Sequence, residues 1–337
     1  MTRRPRVVVV DDSAFARSVL SRVLSATRAI DVVGTASNGT DALARIEQHD
    51  PDVITLDLTM PELDGLGVLR ALQGRARPRV IVVSISSIET ELGVTALSLG
   101  AVDVIAKPTA LASDRLRELS DELIAKVFAA AANLIEPPPM AATTPVVAGG
   151  QATLVMIGAS TGGPQALTRL VAALPATMPV PVVIVLHIPI GYTEGIAARL
   201  NAVSPLSVIE ASDGLELSPG RVVIARAGRQ LRIERAGDRL VARLASAPVH
   251  DFMPSVNELF TSGAAAAGRG ALGIVLTGMG DDGLIGARAI AAAGGQLLTE
   301  AAASCVVYGM PRCVFEAGLG ASAVSLERMA EEILRRV

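Results

Sequence analysis

The chain has 337 residues, of which half are apolar, 19% are charged and 2% are aromatic, and its net charge at pH 7 is −3. This length predicts about two domains with aliphatic cores, and the charge balance gives no reason to expect a nucleic-acid partner. The sequence has neither an apolar run of roughly 18 residues nor a signal peptide, so we expect a cytosolic protein without membrane insertion. The spacing of Cys305 and Cys313 fits neither a disulfide framework nor a metal site.

Short apolar runs alternate with amphipathic stretches through the first 132 residues. The predicted strands are Arg6–Val10, Val32–Ala36, Val53–Asp57, Val80–Ser84 and Val102–Ala106. The predicted helices are Ala14–Ser25, Gly39–His49, Gly65–Leu72, Glu89–Leu99 and Asp114–Ala132. This alternation is typical of a doubly wound parallel sheet with helices on both faces.

Polar residues stand at the carboxyl ends of these strands, where such sheets bind ligands. Asp11 and Asp12 follow the first strand, Asp57 ends the third, Ser84 ends the fourth and Lys107 follows the fifth. Three converging carboxylates need a neutralising cation, and their hard oxygen atoms suit Mg²⁺. We therefore predict a Mg²⁺ site formed by the aspartates, with Asp57 as a phosphoryl acceptor, Lys107 balancing the charge and Ser84 donating a hydrogen bond.

These residues, together with Asp57-Leu-Thr-Met-Pro-Glu-Leu-Asp-Gly65 and Lys107-Pro108, resemble a two-component receiver domain in spacing and in chain order. The resemblance implies Mg²⁺-dependent phosphotransfer from a histidine kinase to Asp57 and a cis peptide bond before Pro108. The last strand has no aromatic residue where many receivers carry a switch Tyr or Phe. An aromatic-coupled switch is therefore not expected, although phosphorylation is.

Residues 133–151 are rich in proline and glycine and have no periodicity. They predict a linker between a receiver domain at 1–132 and a second domain at 152–337. The second domain resumes the strand–helix alternation. We therefore predict an α/β protein with two doubly wound parallel-sheet domains, a flavodoxin-like receiver and a Rossmann-like second domain.

The second domain begins with an apolar run that ends in Gly158-Ala-Ser-Thr-Gly162 and continues into a helical pattern at Gln165–Leu174. The spacing Gly-x-Ser-x-Gly fits a nucleophile elbow, in which small neighbours leave the hydroxyl of Ser160 exposed beside free helix N–H groups. The alternative is a glycine-rich turn whose serine only caps the helix. The pattern by itself favours the alternative.

Two further polar groups follow predicted buried strands. His187 follows Val180–Leu186, and Asp282 lies shortly after Leu272–Thr277. A lone histidine after an apolar run is more often structural, but a parallel sheet would gather Ser160, His187 and Asp282 at one edge. We expect His187 to take the proton of Ser160 and Asp282 to orient the imidazole. The backbone N–H of Met279 is the predicted oxyanion donor.

Residues 152 to about 335 resemble the catalytic domain of chemotaxis protein-glutamate methylesterases. The resemblance lies in five motifs: Gly158-Ala-Ser-Thr-Gly-Gly-Pro164, His187-Ile-Pro189, His250-Asp-Phe-Met-Pro-Ser-Val256, Thr277-Gly-Met-Gly-Asp-Asp-Gly283 and Ser304-Cys-Val-Val-Tyr-Gly-Met-Pro311. The family pattern implies Ser160 as nucleophile, His187 as base and Asp282 as acid.

The family pattern also leaves some residues open. Thr161 is expected to shape the pocket, and Asp281, at a variable position, is the second candidate for the acid. His250 is a further candidate base, but Asp251-Phe-Met253 intervenes before the proline. We therefore interpret the segment as part of a substrate groove or as structural.

The resemblance implies that methyl esters of chemoreceptor glutamates are hydrolysed without a cofactor for the ester chemistry, and that receptor glutamines are deamidated through the same acyl-enzyme. Our hypothesis for regulation is that the unphosphorylated receiver covers the Ser160 edge. A receiver-linked transcription factor is disfavoured, because the second half is long and strand-rich rather than a compact basic helix-turn-helix. A noncatalytic, receiver-controlled interaction module remains the alternative.

Overall fold

The computed structural model describes residues 3–85, 90–107, 113–132, 151–246 and 252–337. The chain separates into two compact units, Met1–Ile135 and Glu136–Val337. The peptide bond before Pro108, residues 133–150 of the predicted linker, and His250 lie outside the described residues. Among the helices that are described, none is both long enough and apolar enough to cross a bilayer.

The first unit is a five-stranded parallel sheet flanked by helices. Its strands are β1 (Arg6–Val10), β2 (Asp31–Ala36), β3 (Val53–Leu56), β4 (Arg79–Ile85) and β5 (Asp103–Lys107), and its helices are α1 (Ala14–Ala26), α2 (Gly39–His49), α3 (Gly65–Leu72), α4 (Thr90–Ser98) and α5 (Ser113–Ala132). The strand order is β2-β1-β3-β4-β5. The order of the strands reverses between β1 and β3, so the residues that follow these two strands flank the crevice where such sheets bind ligands.

The second unit contains a seven-stranded parallel sheet of order β15-β14-β13-β6-β7-β10-β8. Its strands are β6 (Leu154–Ala159), β7 (Val182–Leu186), β8 (Ser207–Glu210), β10 (Arg221–Ile224), β13 (Ala271–Val275), β14 (Gln296–Glu300) and β15 (Ser322–Val324). The helices are α6 (Gly163–Ala173), α7 (Thr193–Val203), α8 (Val256–Ala267), α9 (Leu284–Ala292), α10 (Met310–Glu316) and α11 (Leu326–Leu334), with a 3-10 turn at Gly268–Gly270. The central strands β6, β7 and β13 are buried at every position, as expected of parallel strands covered on both faces.

The predicted fold class is confirmed, and one element is added to it. The strands β9 (Glu216–Leu217), β11 (Gln230–Ala236) and β12 (Arg239–Ala245) form a separate antiparallel sheet of order β11-β12-β9. The main sheet reverses its strand order between β6 and β13. The residues after these two strands include Ser160 and the Thr277–Gly283 loop, so the predicted site lies at the switch point of the sheet.

Candidate active site

Ser160 stands in a tight turn between β6 and α6. Its N–H donates to the carbonyl of Thr277 at 3.0 Å, and its own carbonyl accepts the N–H of Gly163 at 2.6 Å. The residue that caps α6 is Gly162, with a φ of 81° and no side-chain hydrogen bond to the helix. The serine hydroxyl is therefore not the helix cap, and the capping alternative is wrong.

Gly162 is required by this turn for two reasons. Its φ of 81° lies in the left-handed region, and a Cβ there would lie 2.5 Å from Cβ of Val306 and 3.1 Å from the hydroxyl of Thr277. Glycine alone has neither a Cβ to clash nor a steric barrier to this backbone conformation. The last glycine of the Gly-x-Ser-x-Gly pattern is therefore required by packing as well as by the backbone conformation.

We expect Gly162→Ala to lower the free energy of unfolding of the second unit by two contributions. The left-handed backbone costs about 1–2 kcal/mol, and overpacking against Val306 adds about 1–3 kcal/mol. Urea unfolding measures the total. Gly318→Ala is the matched control, because Gly318 has a φ of 68° and a Cβ added there would meet nothing within 4 Å, so only the backbone contribution is expected. Equal losses in both variants would contradict the packing argument.

His187 is brought beside Ser160 by the register of the sheet. Ala159 of β6 pairs with Leu186 of β7, and the N–H of His187 donates to the carbonyl of Ala159 at 3.0 Å. Since neighbouring strands lie about 4.8 Å apart, the next residue of each strand, Ser160 and His187, leaves the sheet side by side.

The imidazole of His187 is bonded to Asp282 through Nε2, at 2.8 Å from Oδ2. The other ring nitrogen, Nδ1, is buried and has no hydrogen-bond partner within the described part of the chain. Because Asp282 is a carboxylate acceptor, it favours the tautomer with the proton on Nε2 and the lone pair on Nδ1. In this arrangement Nδ1 is the nitrogen that can accept a proton.

Asp282 is held by the amino-terminal end of α8. Its Oδ1 accepts the hydroxyl of Ser255 at 2.8 Å and the N–H of Asn257 at 2.9 Å, and its Oδ2 accepts the N–H of Val256 at 2.7 Å. Burial raises the pKa of Asp282, but the hydrogen bonds from His187 and the helix N–H groups outweigh it, and the pKa is lowered. The site therefore contains a fixed negative charge next to the imidazole.

The neighbouring candidates occupy different environments. Asp281 is exposed, whereas Asp282 is 3% exposed. Thr161 is buried, and its carbonyl accepts the hydroxyl of Thr277 at 2.9 Å, so it links the elbow to the end of β13. Met279 is half-buried in the loop after β13, beside Gly278, where a Cβ would lie 2.9 Å from Cβ of Ser160.

Several residues at the site were assigned no role of their own from the sequence, although three of them lie in the quoted motifs. They are Gln230, Phe252, Ser255, Asn257, Thr277 and Glu300. Ser255 precedes the apolar pattern of α8, and this N-cap signal is visible in the sequence. Glu300 is fully buried, accepts the N–H of Thr277 at 2.8 Å, and has a pKa raised by burial. No local sequence signal connects Glu300 to a loop 23 residues away.

The structure also brings together side chains of the predicted phosphoacceptor site. One carboxylate oxygen from each of Asp11, Asp12 and Asp57 lies within 4.8 Å of the other two. The ammonium of Lys107 lies 2.7 Å from Oδ2 of Asp11 and 2.5 Å from Oδ2 of Asp57. Ser84 is buried, and its hydroxyl has no hydrogen-bond partner among the described residues. Three converging carboxylates provide the oxygen ligands that Mg²⁺ prefers, so the donor set fits this ion.

Burial and neighbouring charges at this site shift the pKa values of Asp11 and Lys107. Burial, together with the charge of Asp57, raises the pKa of Asp11 more than Lys107 lowers it. Burial lowers the pKa of Lys107, but its hydrogen bonds and charge interactions with Asp11 and Asp57 outweigh it, and the pKa is raised. Lys107 therefore stays charged.

Comparison with known proteins identifies both units. Residues 155–333 match the model of the CheB methylesterase family, and residues 7–119 match the response regulator receiver domain. The chain is 54% identical to protein-glutamate methylesterase/protein-glutamine glutaminase 5 of Myxococcus xanthus, with 98% of each chain covered. It is 40% identical to the corresponding protein 3 of Geobacter sulfurreducens, with 99% of this chain and 98% of the other covered.

A solved structure agrees with these matches. The crystal structure of the CheB methylesterase catalytic domain of Thermotoga maritima is 34% identical, with a TM-score of 0.54, and covers 55% of this chain and 99% of its own. The resemblance predicted from the motifs is thereby confirmed. The chain belongs to the protein-glutamate methylesterase/protein-glutamine glutaminase family, and it joins a receiver domain to a CheB methylesterase domain.

Proposed function

We propose that this chain hydrolyses the methyl esters of chemoreceptor glutamates at Ser160, under the control of phosphorylation at Asp57. The observation that supports this most directly is the 2.8 Å hydrogen bond between His187 and Asp282, next to the turn that presents Ser160. The experiment that tests it is methanol release from methylated receptor membranes, measured with and without a small phosphodonor and Mg²⁺. Release that depends on the protein and rises with the phosphodonor is expected.

The proposed reaction proceeds through an acyl-enzyme. Oγ of Ser160 attacks the ester carbonyl, and its proton passes to Nδ1 of His187 while Asp282 stabilises the charged imidazole. The proton then moves to the departing methoxide, and methanol leaves. Water attacks the glutamyl ester of Ser160 with the same base, releasing glutamate and restoring the serine hydroxyl.

The oxyanion of each step needs fixed donors. The N–H of Met279, in the loop after β13, is our proposed donor, and Thr161 is proposed to shape the pocket beside the nucleophile. One such donor typically contributes roughly 2.7–4 kcal/mol to lowering the barrier. Receptor glutamines would form the same acyl-enzyme, with ammonia in place of methanol, so one site suffices for both reactions. The ester and amide steps use no cofactor in this proposal.

The receiver is proposed to accept a phosphoryl group on Asp57 from a histidine kinase in the cytosol. Asp11, Asp12 and Asp57 would hold Mg²⁺, which supplies positive charge to the phosphoryl oxygens. Lys107 would balance a further oxygen, and the hydroxyl of Ser84 would donate a hydrogen bond. The corresponding domain division is 1–132 for the receiver, 133–151 for the linker and 152–337 for the catalytic domain.

If the unphosphorylated receiver covers the Ser160 edge, a fragment spanning 148–337 is expected to release methanol faster than the intact chain without a phosphodonor. The physical reason is that removing the receiver removes the blocked state from the equilibrium. Initial rates at equal molar concentrations measure the difference. Asp57→Asn in the intact chain is the control, because its rate is expected to stay low when phosphodonor is added. Equal rates for the fragment and the intact chain would contradict inhibition by the receiver.

A further inference from the structure

The phenyl ring of Phe252 lies flat against the imidazole of His187. The two ring centroids are 4.2 Å apart, and the ring planes differ by 7°. Phe252 is 38% exposed, one of the few large apolar side chains of the described residues that remain so open. A partly exposed aromatic ring stacked on a proposed catalytic base calls for an explanation beyond core packing.

Orientation of the imidazole requires more than its hydrogen bond to Asp282. The second side-chain torsion of histidine has a broad energy profile, so a bond at Nε2 alone lets the ring plane swing about that contact. Swinging the plane moves Nδ1, the nitrogen that must meet the hydroxyl of Ser160. A parallel ring at 4.2 Å blocks this motion on one face of the imidazole.

The position of Phe252 is in turn set by Gln230. This residue opens β11 and is fully buried. Its side-chain amide donates to the carbonyl of Phe252 at 2.7 Å and accepts the N–H of Ser255 at 2.8 Å. Ser255 donates its hydroxyl to Asp282. One buried amide therefore holds both the residue that stacks on His187 and a residue that holds Asp282.

We infer that Phe252 and Gln230 are positioning residues for the base, an inference that rests on the proposed function: Phe252 fixes the plane of the His187 imidazole, and Gln230 fixes Phe252. The antiparallel sheet that carries Gln230 thereby serves the catalytic site, although it lies outside the parallel sheet that bears the proposed triad. The effect is exerted in the transition state, where His187 accepts the proton, rather than on substrate binding.

The test uses the full chain, labelled with ¹⁵N at histidine. The chain has three histidines, and His187→Gln identifies the signals of His187. In the wild type we expect a single tautomer with the proton on Nε2, a slowly exchanging Nε2–H signal, and ring protons shielded by Phe252. In Phe252→Leu we expect the Nε2–H signal to broaden into exchange with water, whereas Phe252→Tyr keeps the stack and the signal.

Gln230→Glu tests separately whether Gln230 fixes the position of Phe252. Glutamate keeps the acceptor for Ser255 but replaces the donor to the Phe252 carbonyl with an acceptor. The shielding of the His187 ring protons is therefore expected to fall although Phe252 is still present. Thermal unfolding checks that each variant is folded. Phe128→Leu is the matched control, because Phe128 is a similarly exposed phenylalanine, 36% exposed, in α5 of the first unit. The His187 signals of this variant should stay unchanged.

Methanol release supplies the kinetic readout. For Phe252→Leu we expect kcat to fall about 10- to 100-fold with little change in KM, because a displacement of about 1 Å in a catalytic group costs on the order of 10²-fold. An Nε2–H signal and a tautomer that stay unchanged in Phe252→Leu, or a loss confined to KM, would overturn the inference. If the wild type released no methanol, the proposed function would fail, and the spectra would still decide whether Phe252 orients His187.

Discussion

Replacing Ser160 with alanine is expected to lower kcat for methanol release by on the order of 10⁶-fold, the usual cost of deleting the nucleophile of a serine triad. Alanine removes the oxygen atom that is proposed to form the acyl-enzyme and leaves the turn otherwise intact, because Ser160 is held there by its backbone bonds to Thr277 and Gly163. Methanol release from methylated receptor membranes at saturating phosphodonor measures the change. The KM for receptors is expected to stay nearly constant.

Two controls make this result specific. Ser207→Ala removes an exposed hydroxyl at the amino-terminal end of β8, the end of the sheet opposite the site, and should leave kcat unchanged. Ser160→Ala itself should still accept a phosphoryl group on Asp57. Adding His187→Ala to Ser160→Ala should cost little more, because the two residues act as one unit. A Ser160→Ala variant that keeps about a tenth of the activity would exclude Ser160 as the nucleophile.

The parallel sheets could be predicted because their strands are short aliphatic runs between helical patterns. The rule that ligand groups follow the carboxyl ends of such strands made Ser160, His187 and Asp282 candidates, and the family pattern favoured Asp282 over Asp281. The antiparallel sheet was not predicted, although β11 alternates buried and exposed positions over Leu231–Glu234, as a half-exposed strand does. Its polar face is rich in arginine and glutamate, so it has no apolar run of the kind that marks the buried strands.

The supports of the site could not be predicted, because they depend on how distant elements pack. Asp282 accepts bonds from residues 26 and 27 positions earlier in the chain, and only the placement of α8 against the loop after β13 brings them together. Phe252 lies in a segment that we interpreted as substrate groove or as structural. The described part of that segment holds Asp282 and contacts His187, so its structural role is visible only in three dimensions.

Changing Asp282 to asparagine is expected to lower kcat by on the order of 10⁴-fold, because an amide carries no negative charge to stabilise the protonated imidazole and, with its NH₂ towards Nε2, selects the wrong tautomer. The carboxylate accepts two hydrogen bonds on each oxygen. If the amide NH₂ replaces Oδ2, it faces the N–H of Val256 and favours the His187 tautomer with the proton on Nδ1, which can no longer act as the base. If it replaces Oδ1, the Ser255 hydroxyl and the Asn257 N–H lose their acceptor.

Either orientation of the amide in Asp282→Asn also lowers the free energy of unfolding, by about 1–3 kcal/mol for a buried donor without a partner. The folded pKa of Asp282 is below its ordinary value of 3.8, so its contribution to stability is present above pH 3.8 and is lost as the pH falls through the folded pKa. The stability difference between the wild type and Asp282→Asn should therefore be largest near neutral pH and shrink in acid, as urea unfolding at several pH values would measure.

Asp281→Asn changes the adjacent, exposed carboxylate and should leave both kcat and stability nearly unchanged. A large loss in Asp281→Asn with little in Asp282→Asn would transfer the role of the acid to Asp281.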